Sequence, residues 1–250
     1  MMAAQLQIKW LDDGDEFPPV SKALGLDTSY PGLLCAGGCL DTPTLLKAYS
    51  RGIFPWFSHG QPILWWSTDP RMVLQVDEFK LHHSLKKTLK KFWSNQNDTV
   101  ECEIRINSHF EDVIRACASK ARAGQAGTWI VPEMVNAYIT LHQSGFAHSV
   151  ETWIDGELVG GLYCVNIGAA VFGESMFAHV TDASKIAFAA LVCFCRANQI
   201  QTIDCQQETS HLASLGARAI PRERFIKHVN EASKMQSPVW QFKREMWQHL

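Results

Sequence analysis

Residues 147–177 read AHSVETWIDGELVGGLYCVNIGAAVFGESMF, and this stretch predicts the central sheet of the chain. Apolar and polar residues alternate within it with the period of two that is typical of β-strands. The alternation covers three segments: 147–154, 158–165 and 169–177. Asp155-Gly156 separates the first two segments, and this dipeptide is a strong hairpin signal. We therefore predict a meander of three antiparallel strands.

Helical patterns lie on both sides of this meander. Three helices are predicted ahead of it, over 82–93, 108–122 and 132–144. Behind it, a helix capped by Thr181 or Asp182 is predicted to end at Arg196, and a strand over 201–205 and further helices follow. A meander, then a helix, then a strand beside the meander is an α+β architecture of the acetyltransferase-like (GNAT) type. Its sheet is expected to be mixed and mostly antiparallel.

The sequence ahead of residue 70 has a different character. It is rich in turn-forming and aromatic residues, with one predicted helix that has Thr42 as its N-cap and Pro43 at its first position. Asp69-Pro70 marks the change, because a residue that precedes proline is disfavoured in helical conformation. We predict a small N-terminal domain over residues 1–69 and a larger catalytic domain over residues 70–250.

Composition excludes several classes of protein. The 250 residues are 46% apolar, as in a packed globular protein, and the net charge of -2 gives no general attraction to nucleic acid. No apolar run reaches the roughly 18 residues of a membrane span, and the start lacks the features of a signal peptide. Eight cysteines without a CxxC motif fit reduced thiols that fill a core. We expect a soluble, cytoplasmic protein without a metal site.

Two acids lie within apolar segments. Glu174 is in GESMF, and Asp204 is in IDCQ, next to Gln206. Burial of an unpaired carboxylate costs on the order of several kcal/mol, and buried carboxylates concentrate at functional sites. These three side chains are therefore the first candidates for chemistry. The alternative is that each acid is a structural group whose hydrogen bonds are satisfied.

Aromatic residues concentrate in a segment with the sequence RGIFPWFSHGQPILWWSTDPR, over residues 51–71. Trp56, Trp65 and Trp66 either form a small core that packs the two domains together or provide a surface on which a nucleobase stacks, at about 1–3 kcal/mol per base. Trp129 carries the same two interpretations.

Basic residues concentrate in the predicted helix over 82–93. At helical spacing they form one stripe, and the members of this basic stripe are Lys86, Lys87, Lys90 and Lys91. The stripe is either an ordinary solvated face or a contact for a phosphate backbone, whose contribution would fall steeply with salt.

Ten short motifs follow one another in an order that is typical of one family. They are GLLCAGGCL (32–40), RGIFPWF (51–57), ILWWSTDPR (63–71), TWI (128–130), AHSVE (147–151), LVGGLY (158–163), GESMF (173–177), DASK (182–185), IDCQ (203–206) and HLASLGA (211–217). From about residue 30 to 228 the chain thus resembles the leucyl/phenylalanyl-tRNA–protein transferases.

The resemblance implies a bacterial cytoplasmic enzyme that moves Leu or Phe from its tRNA to the N-terminal Arg or Lys of a protein, which marks that protein for degradation by the N-end rule. It implies that Asp204 and Gln206 are the catalytic pair, with Glu174 near the reacting centre, and that the basic stripe binds tRNA. No cofactor is expected, because an aminoacyl ester is already activated, and a monomer is expected.

The resemblance also implies the residues that bind the aminoacyl group and its terminal adenosine: Trp56, Trp129, Leu162, Val171, Gly173 and Met176. Val171 departs from the family, since a larger aromatic can line the side-chain pocket there. This departure leaves the preference among Leu, Phe and Met open.

Two other functions fit part of the sequence. An acyltransferase that uses acetyl-CoA would share the fold, but it needs a glycine-rich pyrophosphate loop, and HVTDAS (179–184) has no glycine and contains an acid. A tRNA-binding protein without catalysis would explain the lysines and tryptophans, yet it leaves the buried acids unexplained.

Overall fold

A computed structural model of the chain describes residues 8–93, 101–119 and 130–250, and these residues form two β-sheets and seven α-helices. The strands of the smaller sheet are β1 (Lys9–Leu11), β2 (Leu33–Gly37), β3 (Phe54–Pro55) and β4 (Leu64–Trp66). The strands of the larger sheet are β5 (Arg71–Gln75), β6 (Cys102–Ile106), β7 (Ala147–Ile154), β8 (Glu157–Ile167), β9 (Ala170–Ala178), β10 (Thr202–Gln206) and β11 (Arg218–Ile220). The helices are α1 (Thr42–Tyr49), α2 (His83–Trp93), α3 (Phe110–Ser119), α4 (Pro132–Gln143), α5 (Ala183–Ala197), α6 (Ser210–Ser214) and α7 (Arg222–Ala232).

The larger sheet has the strand order β11-β5-β10-β9-β8-β7-β6. Strands β9 and β10 run parallel, and the other neighbouring strands of this sheet run antiparallel. The predicted meander is confirmed as β7-β8-β9, and so is the mixed, mostly antiparallel sheet of an α+β fold. The smaller sheet, in the order β1-β2-β4-β3, was not predicted from the sequence.

Helices cover both faces of the larger sheet. A side chain at Gly160 of β8 would contact Ala183 at the start of α5, whereas one at Gly161 would contact Val113 of α3. Because successive residues of a strand point to opposite faces, α5 and α3 lie on opposite sides of the sheet. The α5 helix is apolar around its whole circumference and is buried for most of its length, as expected for a central helix.

The helix α1 begins one residue earlier than the sequence suggested. Asp41, and not Thr42, is the N-cap, and its carboxylate accepts the backbone N–H of Thr44 at 2.8 Å. Pro43 therefore lies at the second helical position and not at the first, which is still within the first turn. The difference follows from the preference for Asp at N-caps, since the carboxylate also complements the positive end of the helix dipole.

The C-terminal tail beyond α7 packs against the larger sheet and α5. The ring of Trp240 stacks on that of His148 at 4.1 Å and on that of Phe194 at 4.5 Å between centroids. The indole N–H of Trp240 donates to Asn166 at 3.1 Å. The tail is therefore part of the folded core. Within the described ranges, no helix is both long enough and apolar enough to cross a bilayer.

Candidate active site

The site forms where β9 and β10 stop pairing. These parallel strands are in register at Val171–Ile203 and at Phe172–Asp204. Just beyond that point the register of each strand with its other neighbour shifts by one residue. Glu174 of β9 has no pairing partner in β8, and Cys205 of β10 has none in β5. Bulges bend a strand and redirect its side chains. The two strand ends are therefore free to separate around a cavity.

A cavity of about 570 Å³ lies at these strand ends. Its walls are mostly apolar, and it includes seven of the residues predicted for the site: Trp56, Leu162, Gly173, Glu174, Met176, Asp204 and Gln206. A mostly apolar cavity with a few polar groups is the usual form of a small-molecule or substrate-group site.

Asp204 is fully occupied by partners within the protein. Its Oδ1 accepts the Nε–H of Arg71 at 2.8 Å, and its Oδ2 accepts from Nη2 of Arg71 at 2.6 Å. Its Oδ1 also accepts the backbone N–H of Gln206 at 3.0 Å. Both members of this ion pair are buried, with side chains that are 0% and 2% exposed. Asp204 thus holds the backbone of Gln206 and is itself held by Arg71.

Gln206 has an unusual backbone conformation. Its φ of 54° lies in the left-handed region, which favours glycine. Its carbonyl oxygen accepts the hydroxyl of Thr68 at 3.1 Å, and its side-chain Nε2 donates to Oε1 of Glu174 at 3.3 Å. This conformation turns the amide of Gln206 toward the other acid of the site.

Glu174 is surrounded by neutral donors. The hydroxyl of Tyr49 lies 2.7 Å from Oε1 of Glu174, that of Tyr138 lies 3.4 Å from Oε2, and the two hydroxyls also contact each other. Two hydroxyls have only two protons for these three hydrogen bonds, so all three are made when the carboxyl itself is protonated and supplies the third. Burial raises the pKa of Glu174 to about 8; the nearby charge of Asp204 adds to this, and the hydrogen bond from Tyr49 opposes it. Near neutral pH this carboxyl can therefore give or accept a proton or hold a cation.

Not every predicted binding residue lines the cavity. Val171 is buried in β9 and is not among the residues that line the cavity, and neither is its neighbour Phe172. Trp129 lies outside the described residues. Trp56 is half-buried and lines the cavity, whereas Trp65 and Trp66 belong to the core. A core role is therefore confirmed for Trp65 and Trp66, and a stacking role for Trp56 stays a prediction.

The basic stripe lies on α2 as the spacing predicted. Lys86, Lys87 and Lys90 are exposed, while Leu85 and Leu89 on the other face are buried. The side chain of Lys91 lies outside the described residues. The stripe is therefore accessible to a partner.

Sequence reasoning missed several residues of the site. Ser184, Phe188 and Leu191 line the cavity from α5 at helical spacing, a pattern that was readable in the sequence. Tyr49 and Arg71 had no such signal, because each contacts the site from a distant part of the chain.

The cysteines are free thiols, and those at the centre of the fold are buried. Burial raises the pKa of Cys193 to about 12. Among the residues that the structure describes, no group of three or more His, Cys, Asp or Glu side chains is arranged to hold a metal ion.

Comparison with known proteins identifies the family. The family model described as leucyl/phenylalanyl-tRNA protein transferase matches residues 73–230, and the model of its N-terminal domain matches residues 38–69. The chain belongs to the leucyl/phenylalanyl-tRNA protein transferases. Within this transferase family, the match to the N-terminal domain contains Trp56, and the longer match contains Glu174, Asp204 and Gln206.

Relatives that carry the name leucyl/phenylalanyl-tRNA–protein transferase match nearly the whole chain. The one from Polaromonas sp. is 61% identical over 97% of this chain and 94% of its own. The one from Leptothrix cholodnii is 58% identical over 97% and 95%, and the one from Burkholderia multivorans is 54% identical over 96% and 92%.

Likeness to solved structures is weak. A conserved protein of unknown function from Staphylococcus epidermidis aligns with a TM-score of 0.35 and 12% identity, over 76% of this chain and 68% of its own. This value is too low to support an assignment of fold type.

Proposed function

We propose that the chain transfers Leu, Phe or Met from aminoacyl-tRNA to the N-terminal Arg or Lys of a protein and so marks that protein for N-end-rule degradation. One observation carries the proposal: in a member of this transferase family, an apolar cavity ends at the polar pair Glu174 and Gln206. An aminoacyl ester needs this combination, with an apolar wall for its side chain and polar groups at its carbonyl.

The donor group lies along the cavity in this proposal. Leu162, Met176 and Leu191 contact the donor side chain, with Gly173 leaving room beside them. An apolar wall selects by shape and discriminates by about 1–3 kcal/mol per methylene. Trp56, at the cavity, packs against the terminal adenosine, and Trp129 is proposed to do the same. Val171 influences the pocket only through the packing of β9.

The reaction requires no cofactor. The neutral α-amino group of the acceptor protein attacks the ester carbonyl, a C–N bond forms, and the ester C–O bond to the tRNA ribose breaks. The proton lost by the amine goes to the released ribose hydroxyl. An α-amino group has a pKa of about 7.7–8.0 and is thus partly neutral near pH 7. The enzyme has to orient the two groups and stabilise the developing oxyanion.

Three polar residues divide this work. Gln206 positions the attacking amine or the ester carbonyl with its side-chain amide. Asp204 holds Gln206 through the hydrogen bond to its backbone N–H. Glu174, which can change its protonation near neutral pH because its pKa is raised to about 8, holds the cationic acceptor or the donor ribose.

The basic stripe on α2 is proposed to bind tRNA. Its described lysines project from an exposed face, and a chain with a net charge of -2 needs such a local patch to attract a polyanion. Lys91 belongs to the stripe by its spacing in the sequence.

The finer features of the fold are also proposals. The two sheets support a division of the chain into a small N-terminal domain, 1–69, and a catalytic domain, 70–250, at Asp69-Pro70. The separation of the parallel strands β9 and β10 around a cavity supports an acetyltransferase-like (GNAT) type for the larger domain. We further propose that the protein acts as a monomer in the bacterial cytoplasm.

A direct assay tests the function. The purified protein, made in a host that lacks the activity, is incubated with radiolabelled leucyl-tRNA and with one protein that has N-terminal Arg, Lys or Ala. Label is expected on the Arg and Lys proteins and not on the Ala protein. Absence of transfer to all three, with salt-sensitive binding of tRNA retained, would show that the chain is a binding protein.

The role of the basic stripe needs a matched control. The triple variant Lys86→Ala/Lys87→Ala/Lys90→Ala is compared with Lys22→Ala/Lys227→Ala/Lys234→Ala, which removes three exposed lysines elsewhere. The first is expected to weaken tRNA binding at least about 10-fold at low salt and to reduce the salt dependence. Equal losses in both variants would mean that only overall charge matters.

A further inference from the structure

We infer that Arg71 is a positioning residue of the transfer reaction, which acts through Asp204 on the conformation of Gln206. The inference rests on the proposed function, because Gln206 is taken there to contact the reacting groups. Arg71 comes from β5, which lies beside β10 in the larger sheet and precedes it by more than a hundred residues.

Each nitrogen of the Arg71 guanidinium donates a hydrogen bond within the protein. Its Nε and Nη2 donate to the two carboxylate oxygens of Asp204, and its Nη1 donates to the carbonyl of Gly52 at 3.2 Å. Its Cζ lies 4.7 Å from the ring centroid of Phe54 and 4.5 Å from that of Phe225. Because each of its nitrogens donates a hydrogen bond, both of its faces are covered and no surface is exposed, Arg71 cannot contact a substrate. Any effect on the reaction has to pass through Asp204.

The two hydrogen bonds from Arg71 fix the plane of the Asp204 carboxylate in addition to compensating its charge. Two parallel hydrogen bonds from a planar guanidinium hold a carboxylate in one orientation, whereas an ammonium group is a point charge without this geometry. The orientation matters here because Oδ1 of Asp204 also accepts the backbone N–H of Gln206 at 3.0 Å. A rotation of the carboxylate would break that bond.

The bond matters because Gln206 is in a conformation that it would not adopt alone. Its φ of 54° favours glycine, and it lies at the irregularity where β10 loses register with β5. Two hydrogen bonds hold its backbone, one to Asp204 and one from Thr68. With this backbone fixed, its side-chain amide reaches Glu174 at 3.3 Å in the cavity. Loss of the two parallel hydrogen bonds from Arg71 would let the backbone of Gln206 relax and its side chain move away from the cavity.

Arg196 on α5 provides a matched control. Its Nε and Nη2 both donate to the backbone carbonyl of Val76, at 3.1 and 2.5 Å. It therefore anchors the chain just beyond the opposite end of β5 from Arg71, and among the described residues it has no hydrogen bond to Asp204 or Gln206. Arg196→Lys and Arg71→Lys both keep the charge and lose the planar guanidinium.

The test compares kcat and KM for leucyl-tRNA in these two variants with an N-terminal Arg protein as acceptor. Arg71→Lys is expected to lower kcat about 10- to 100-fold with KM within about 3-fold of the wild type, because a small displacement of a positioning group costs this much. Arg196→Lys is expected to retain the wild-type kcat. The double variant Arg71→Lys/Asp204→Asn is expected to lose no more than the worse single variant, since the two residues act as one unit. Equal effects of the two arginine variants, or additive losses in the double variant, would overturn the inference.

A second readout does not depend on activity. In protein labelled with ¹⁵N-glutamine, Arg71→Lys is expected to shift the backbone amide signal of Gln206, while the signal of Gln143 on α4 stays in place and Arg196→Lys moves neither. An unchanged Gln206 signal would refute the positioning role. A wild-type protein that transfers nothing would overturn the proposed function alone, because the labelled protein would still report on the link from Arg71 to Gln206.

Discussion

Glu174 and Asp204 lie on two adjacent parallel strands, at the point where the pairing between these strands stops, and their surroundings are opposite. The carboxylate of Asp204 is matched by the guanidinium of Arg71 and is almost completely buried. The carboxyl of Glu174 faces a cavity and has the hydroxyls of Tyr49 and Tyr138 as partners, with no cation in hydrogen-bond contact. The charge of Asp204 is therefore compensated by a cation in the resting protein, whereas Glu174 has only neutral partners.

This difference separates two uses of a buried acid. A carboxylate that is held by two hydrogen bonds from a planar guanidinium has one orientation. Asp204 is such a carboxylate, and in this orientation it accepts the backbone N–H of Gln206. A carboxyl whose pKa is raised to about 8 by burial can respond to a ligand, because a cation that binds beside it favours its ionised form. The same type of residue thus supplies rigidity at one strand end and responsiveness at the other.

The largest expected effect comes from removal of the cation beside Asp204. Arg71→Met leaves a buried carboxylate without its partner and is expected to lower the free energy of unfolding by about 3–5 kcal/mol. The double variant Arg71→Met/Asp204→Leu is expected to regain most of this loss, because it contains no buried charge. Urea denaturation at pH 7 measures both. A loss below about 1 kcal/mol in the single variant would mean that Asp204 is not compensated by Arg71.

A third buried acid sharpens the comparison. Glu151 accepts hydrogen bonds from Ser149 at 2.7 Å, from the backbone of His109 at 2.8 Å, from Trp153 at 3.0 Å and from Ser108. Each carboxylate oxygen of Glu151 accepts from one group that can only donate, the backbone N–H of His109 or the indole N–H of Trp153, so the amide nitrogen of Glu151→Gln has to face one of them. This change is expected to cost about 1–3 kcal/mol. Because this acid lies away from the cavity, the transfer rate of the folded variant should be that of the wild type. A reduced rate with normal stability would show that the acids are not separable in this way.

Glu174→Gln tests the other side of the comparison through pH. The pKa of Glu174 is about 8 in the folded chain and about 4.5 in the unfolded chain, so the folded chain binds the proton more tightly. The resulting stability is fully present below pH 4.5 and is lost as the pH rises through 8. Relative to Glu174→Gln, the wild type is expected to lose about 1–2 kcal/mol between pH 5 and pH 9, after a discount for its partial exposure. Unfolding free energies at pH 5, 7 and 9 check this, and a constant difference would contradict the raised pKa.

The smallest expected effect comes from the second support of the Asp204 side. Thr68→Val removes the hydroxyl that donates to the carbonyl of Gln206 and keeps the shape of the side chain. A loss of about 0.5–1.5 kcal/mol is expected, measured by thermal or urea unfolding. A larger loss of stability than in Arg71→Met would mean that Thr68, and not the ion pair, is the main support of this strand end.

The sequence predicted the larger sheet better than the smaller one. The meander over β7, β8 and β9 was visible because its strands are long and its hairpin turn is local. The strands of the smaller sheet have two to five residues each, which is too short for a periodic pattern to be recognised. For the same reason β11, with three residues, was not predicted.

The candidate site shows the same division. Glu174, Asp204 and Gln206 were found because a polar residue in an apolar segment is a local signal. Arg71 was not, since an arginine at the start of a short apolar segment has many ordinary explanations. The hydroxyls of Tyr49 and Tyr138 were not found either, because tyrosine at helical spacing predicts a core position and carries no information about its partner.

By itself, the sequence determined the meander, the strand that follows it and the longer helices, which acids lie within apolar segments, and the family through the order of its motifs. These properties depend on neighbouring residues and on the 2.0 and 3.6 periods of the backbone. The tertiary structure alone decided that Asp204 meets Arg71, 133 residues away, and that Glu174 meets Tyr49, 125 residues away. The partner of a buried charge depends on the order of strands and on the packing of helices, and no local pattern encodes that order. The roles of the two acids follow from those partners.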